Sequence, residues 1–204
     1  MGNRLDTSEQ IYFNKDHTMV RRAVRDFVNK ELNPFVDLWE EQGAAPLKKL
    51  FKKMGKLGFL GIRYDPKYGG QGLDYWYETA FLEELGHIRA LGLAVAITVQ
   101  TNMATPAIDE FGSDFLKETY LKAAIQGDMV GAIAVTEPGA GSDVAALATT
   151  AKREKGHYMI NGSKMFITNG TQADFYTLLA RTGDDPGYHS FSLIVVPANL
   201  PGIT

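Results

Sequence analysis

Residues 149–168 read TTAKREKGHYMINGSKMFIT, and they decide the fold class. Up to Gly127 the apolar residues recur at helical spacing; here the period drops to two. Lys155-Gly156 and Asn161-Gly162 each separate runs of strand type. Asn-Gly is the stronger hairpin signal, because both central positions of a two-residue turn need positive φ. Residues 148–168 are therefore expected to form a three-stranded meander. Further strands are expected at Phe175–Arg181 and Phe191–Val196, separated by a Gly183–Gly187 loop. Helices followed by strands, without βαβ alternation, indicate an α+β chain of two domains, helical over 1–127 and β over 128–204.

Working back toward the N-terminus, Ser113 caps a helix expected to end at Gly127, and Pro106 opens a shorter one. An apolar helix is expected from Gly92 to Met103. The apolar stretch Leu91–Val99 is broken by Gln100 and Asn102, so it reads as a buried core helix rather than a membrane span of ~20 residues. Asp74 caps a helix that ends near Gly86, after the Pro- and Gly-rich loop Tyr64–Gly72. Leu47, Leu50, Phe51, Met54 and Leu57 form one stripe of a helix opened by Pro46 and closed by Gly58. Its five lysines, 48, 49, 52, 53 and 56, read as the solvated face. Asn14 caps the first helix, which is expected to stop at Asn33, since the residue before Pro34 is pushed out of the helical region.

Composition narrows the function classes. Lys and Arg total 21 against 24 Asp and Glu, a net charge of −3, so no basic footprint for nucleic acid exists. There is no cysteine, which removes disulfides, thiolate metal sites and a thiol nucleophile. His17, His87, His157 and His189 show no HxxxH or HExxH spacing, so metal chemistry is not expected. The start, MGNRLDTSEQIYF, has neither a signal-peptide core nor an Arg-rich amphipathic pattern, and Asp6 occupies the position a myristoylation signal gives to Ser or Thr.

The chemistry concentrates in residues 131–143, GAIAVTEPGAGSD. A short strand, Ala132–Val135, runs into Gly139-Ala140-Gly141, where small residues let a ligand approach the backbone. Consecutive N–H groups in such a turn can cradle phosphate oxygens, and Thr136 and Ser142 add hydroxyls. A Rossmann fingerprint fails, because Val144 stands at the third glycine position and strand rather than helix follows. There is no GK[ST] for a P-loop and no GxSxG elbow. Downstream, Phe166 and Thr168 lie two apart, which in a strand places an aromatic face and a hydroxyl side by side for a flat heteroaromatic ring.

IAVTEPGAGSDVA (133–145) resembles the first signature of the acyl-CoA dehydrogenase family. The resemblance continues through WEEQGAAPLKKLFKKMGKLGFLGIRYDPKYGGQG (39–72), FGSDFLKETYLKAAIQGDMVGAIAVTEPGAGSD (111–143) and YMINGSKMFITNG (158–170), in the family's order and spacing. It implies an N-terminal helical bundle followed by an incomplete antiparallel β-barrel, with the family's C-terminal helical domain absent. It implies FAD as cofactor and an acyl-CoA thioester as substrate, converted to the trans-2-enoyl-CoA in fatty-acid β-oxidation with hydride transfer to flavin N5. Val135 and Thr136 are then expected to face the flavin, with Ile133 and Ala134 behind them. Gly141 and Ser142 meet the pyrophosphate, and Ser142 also touches the CoA ligand. In the second motif the family's tryptophan is Phe166 here, followed by Ile167 and Thr168, whose family role is a hydrogen bond near N5.

The resemblance also places the proton-abstracting glutamate in the C-terminal domain, so this chain is expected to carry no catalytic residue, to bind FAD weakly and to be inactive alone. Glu137 is expected to be structural. Electrons would pass to an electron-transfer flavoprotein, and the full-length enzyme would be a dimeric or tetrameric homo-oligomer. It would sit in the mitochondrial matrix if eukaryotic and in the cytoplasm if bacterial. An acyl-CoA oxidase or flavin monooxygenase of the same fold, or a non-catalytic short form docking to a full-length subunit, remain open. The apolar run SFSLIVV (190–196) is expected to leave an unpaired sheet edge.

Overall fold

The computed structural model describes residues 12–185 and 187–204. The reading of MGNRLD, and Pro186 in the Gly183–Gly187 loop, lie outside the described residues. The chain divides into two compact units.

The first unit ends at Thr98 and adds Ile125–Asp128. Its leading helix, Lys15–Phe27, begins at the expected cap. Asn14 Oδ1 accepts from the Asp16 and His17 amides at 2.8 and 3.2 Å, and the Asn14 amide donates to His17 Nδ1 at 3.0 Å. This reciprocal box satisfies amides that the first turn would leave orphaned. The expected stop at Asn33 does not occur. The helix loosens into a π turn at Val28–Leu32 and a 3-10 turn at Asn33–Phe35, then continues through Val36–Gln42 to Gly43 at φ 72. Pro34 is tolerated because it stands at the start of the new turn, where its missing N–H has no acceptor to lose.

The helix Leu47–Lys56 buries Leu47, Leu50, Phe51 and Met54, while Leu57 is exposed just past its end. Lys52 pairs with Asp128 and Lys53 with Glu31 on its outer face. Asp74 caps Tyr75–Leu85 by accepting from the Trp76 amide at 2.9 Å. Glu84, only 1% exposed, accepts from Arg25 Nε at 2.6 Å and from its Nη2 at 2.8 Å, which ties this helix to the first. A buried carboxylate persists only with such partners.

The second unit comprises Val99–Ala124 and Met129–Thr204. Among the described residues it carries five strands: β1 (Gly131–Ala134), β2 (Thr150–Glu154), β3 (His157–Asn161), β4 (Phe175–Arg181) and β5 (Phe191–Pro197). β4 is the hub. β5 runs antiparallel along its whole length, from Phe175↔Pro197 to Arg181↔Phe191. On its other side β1 pairs with it in parallel, from Gly131↔Phe175 to Ala134↔Leu178, and β2 meets it at Thr150↔Arg181. The sheet is open, and it is mixed rather than purely antiparallel. The long connection from β1 to β4 supplies the crossover that a parallel neighbour needs. Among the described residues the second edge of β5 has no strand partner.

The meander is two-stranded. β2 and β3 form a hairpin from Thr150↔Asn161 to Glu154↔His157, and its turn is Lys155-Gly156, at φ 46 and 89. Asn161-Gly162, the stronger turn signal, makes no hairpin, and SKMFIT forms no third strand. Gly162 is glycine for another reason: a Cβ there would run into Thr149, backbone as well as side chain. Gly162→Ala is expected to destabilise the chain by about 1–3 kcal/mol through overpacking, readable in urea unfolding.

Helical turns anchor the sheet from behind. Gln100, 1% exposed, donates to the Ala124 and Met129 carbonyls at 3.2 and 2.9 Å and accepts from the Gly131 amide at 2.7 Å. Thr177 Oγ1 donates to the Ala104 carbonyl at 2.6 Å. These bonds fix the start of β1 and the middle of β4. They also explain why the helix runs past Gln100: the polar side chain that interrupts the apolar stretch is used inside. Among the described residues the helical run Leu91–Phe111 is long and apolar enough to cross a membrane by length and composition alone, and half of its most apolar window is buried inside the protein.

Candidate functional site

β1 delivers the signature. Ile133 and Ala134 pair with Thr177 and Leu178 of β4 and end the strand, so the chain leaves the sheet at Val135. Glu137 and Ala140 then exchange backbone hydrogen bonds, 2.8 Å from the Glu137 amide and 3.2 Å from the Ala140 amide. This closes a tight bend with Pro138 and Gly139 at its tip. Gly141 and Ser142 follow, both exposed.

The bend has a property the sequence could only suggest. Neither Gly139 nor Gly141 has a positive φ. A Cβ at Gly139 would meet nothing within 4 Å, and one at Gly141 would meet only Thr136 Cγ2 at 3.9 Å. Gly131, by contrast, is needed inside, since a Cβ there would lie 2.7 Å from Phe175 Cζ. Backbone strain and packing, the two internal reasons for glycine, are therefore both absent at 139 and 141. An open, side-chain-free backbone facing outward is a surface on which a ligand can lie close to the peptide groups.

The second expected element is joined to the first. The Met165 amide donates to the Thr136 carbonyl at 2.9 Å, and Lys164 Nζ donates to the Val135 carbonyl at 2.9 Å. Lys164 Nζ also pairs with Glu137 Oε1 at 2.8 Å. Glu137 accepts in addition from the amides of Ala148, at 2.7 Å, and Thr149, at 3.0 Å. Burial pushes this carboxyl up, but hydrogen bonds from Lys164 and the two amides outweigh it and hold Glu137 down at about 2.

Phe166 is not in a strand. It stands at φ 58 and is 86% exposed, so it does not share a strand face with Thr168. Ile167 and Thr168, both half-buried, lead into a turn in which the Gly170 amide bonds the Ile167 carbonyl at 2.9 Å. Asn169, at φ 68 and buried, donates from Nδ2 to the Gly131 carbonyl at 3.1 Å. Phe166 is thus stretched between two fixed points, Met165 on Thr136 and Asn169 on Gly131. The left-handed conformation of a bulky residue costs about 1–2 kcal/mol, and strain of this kind is held in place by its surroundings. Because the exposed ring contributes little burial, Phe166→Gly is expected to leave the free chain at least as stable as the wild type by thermal unfolding. A loss beyond the ~0.5–1 kcal/mol of added chain entropy would mean that the ring packs.

The profile of the acyl-CoA dehydrogenase N-terminal domain matches residues 14–128, and that of the middle domain matches residues 132–204. The chain belongs to the acyl-CoA dehydrogenase family. It is 40% identical over 194 residues to an acyl-CoA dehydrogenase of Bacillus subtilis (strain 168), which covers 95% of this chain and 51% of the relative. Among solved structures it resembles an acyl-CoA dehydrogenase from Geobacillus kaustophilus, with a TM-score of 0.88 at 38% identity over 94% of this chain and 50% of the other. It also resembles a glutaryl-CoA dehydrogenase from Mycobacterium smegmatis in complex with FADH2, with a TM-score of 0.85 at 32% identity over 96% and 48%. The chain spans about half the length of these acyl-CoA dehydrogenase relatives.

Within this family frame, the fold brings Val135 and Thr136 together with the Phe166 segment, and sets Gly141 beside Thr136. Lys164 and Asn169 escaped the sequence reading, and Glu137, expected to be structural, was read without its partner. Lys164 is a lysine just before the apolar Met165–Ile167, and Glu137 is an acid between a buried strand and a glycine turn. Opposite charges in two such places were the available signal of a pair. Asn169 gave no signal beyond its tolerance of positive φ. Among the described residues no cluster of three His, Asp or Glu could hold a metal ion.

Proposed function

We propose that this chain forms the N-terminal helical domain, 1–127, and the middle domain, 128–204, of an FAD-dependent acyl-CoA dehydrogenase. The observation that carries the cofactor reading is the open backbone at Gly139 and Gly141, where glycine serves no internal need. The residues fit the group. The Gly141–Ser142 backbone would take the pyrophosphate, Val135 and Thr136 would border the ring system, and the exposed Phe166 would stack on it while Ile167 and Thr168 line its edge. Ser142 would also meet the CoA ligand. When bound, FAD supplies a two-electron acceptor for the β-hydride of an acyl-CoA whose α-proton goes to a carboxylate base, yielding the trans-2-enoyl-CoA. An electron-transfer flavoprotein would take the electrons, and the full-length enzyme would be a homo-oligomer, mitochondrial or bacterial-cytoplasmic by origin.

Glu137 is not that base. With its proton affinity held down to about 2, and its oxygens accepting from Lys164 and two amides, it is a weak proton acceptor with no free approach. We assign no catalytic residue to the described chain.

Titration of the 204-residue chain with FAD tests the reading. Flavin fluorescence should be quenched on binding, and Phe166→Gly should weaken binding about tenfold through lost stacking while sparing stability. Equal affinity in the two proteins, or no binding by the wild type, would count against it.

A further inference from the structure

We propose that Lys164 and Glu137 are positioning residues: their buried pair fastens the end of β1 to the Phe166 segment and so sets the wall against which the flavin rests. The inference rests on the flavin reading above and goes beyond it, to groups that need not touch the cofactor.

The pair is expensive for a merely structural contact. Its side chains are 10% and 6% exposed, and an ion pair removed from water to that extent rarely stabilises more than well-packed apolar side chains would. What it offers instead is direction. Lys164 Nζ reaches the Val135 carbonyl at 2.9 Å and Glu137 at 2.8 Å, so one ammonium fixes both ends of a three-residue stretch centred on Thr136. Glu137 passes the constraint on to the Ala148 and Thr149 amides, at the entrance to β2. Next to the pair, the Met165 amide bonds the Thr136 carbonyl at 2.9 Å. The backbone oxygens of Val135 and Thr136 are thereby both engaged by one segment, Lys164–Met165. Phe166, immediately after this anchor, is forced into its left-handed conformation with the ring projecting. A neutral, apolar pair could fill the same space, but it could not hold the Val135 carbonyl and the Ala148 and Thr149 amides in fixed orientation.

Amide hydrogen exchange on the 204-residue chain, with and without FAD, tests this with Lys164→Met and with the double variant Glu137→Gln/Lys164→Met. The double variant removes both charges together and is the one expected to keep its global stability. In the double variant the Met165 amide and its neighbours over 163–170 are expected to exchange roughly tenfold faster or more, while amides of Tyr75–Leu85 are unchanged; Lys164→Met is expected to do the same over 163–170 and to lose global stability as well. FAD is expected to slow exchange over both 135–142 and 163–170 in the wild type, and over 135–142 alone in the variants. The visible circular dichroism of FAD-saturated samples is expected to be weaker in the variants than in the wild type, because an asymmetric wall has been lost. A pair that serves stability alone would speed exchange across β1 and β4 equally and leave the bound-flavin spectrum unaltered; that result overturns the inference. So does a Met165 amide that exchanges at the wild-type rate in both variants. If FAD slows no exchange in the wild-type chain, the flavin reading itself fails, and the functional half of this inference with it.

Discussion

Replacing Gly141 by leucine should leave the chain folded at wild-type stability and raise the FAD dissociation constant by about 100-fold or more. The two halves of that expectation come from the same observation. A Cβ at 141 has space, with only Thr136 Cγ2 at 3.9 Å, and the backbone is not in the left-handed region, so the fold has no objection to a side chain. The ligand does, because four added carbons would occupy the place where a phosphate group must reach the peptide N–H groups. Gly141→Ala should give a smaller loss in the same direction. Unfolding curves and FAD titrations on the same samples check both. A leucine variant that binds FAD within threefold of the wild type, or that unfolds early, would remove the reason for placing the ligand here. Gly162→Ala is the natural contrast, since there the fold itself needs the missing side chain.

Glu137→Gln should destabilise the chain by about 3–5 kcal/mol at pH 7, the usual result of stripping one partner from a buried ion pair. A glutamine oxygen could still accept from Lys164 Nζ, but the ammonium loses its counter-charge, and the glutamine Nε2 would face the Ala148 amide, donor against donor. The effect should depend on pH with a definite sign. The folded-state carboxyl sits at about 2, below its ordinary value near 4.5. Its contribution is therefore fully present above about pH 4.5 and is lost as pH falls from there toward about 2. Denaturant unfolding of wild type and variant at a series of pH values should give two stability curves that converge through this window. Parallel curves would show that the carboxylate is not held in the charged state by the fold.

Sequence resolved what is set locally. The caps at Asn14 and Asp74, the stripe on Leu47–Lys56 and the span of β4 follow from side chains acting within a turn or two of their own position. It misjudged the places where a distant partner decides. Asn161-Gly162 carries the composition of a hairpin turn, but its glycine answers to Thr149. SKMFIT has strand composition, but the Met165 amide bonds Thr136 and the chain turns instead of pairing. Phe166 gives no hint of a positive φ, because its conformation is imposed by anchors on either side. The parallel alignment of β1 with β4 depends on a crossover that no local pattern encodes. The glycine bend after β1 was legible in the signature. The Lys164–Glu137 pair was not: Glu137 read as structural, but nothing local names a partner 27 residues away.

The central claim is that the glycine bend after β1 and the segment carrying Phe166 enclose one ligand between them. A crystal structure of the chain grown with FAD tests it most directly. The account predicts the tricyclic ring lying against Val135, Thr136 and the Phe166 ring, with the pyrophosphate over the Gly141–Ser142 backbone. A flavin bound away from either element, with the Gly139–Ser142 backbone still facing solvent, would contradict it.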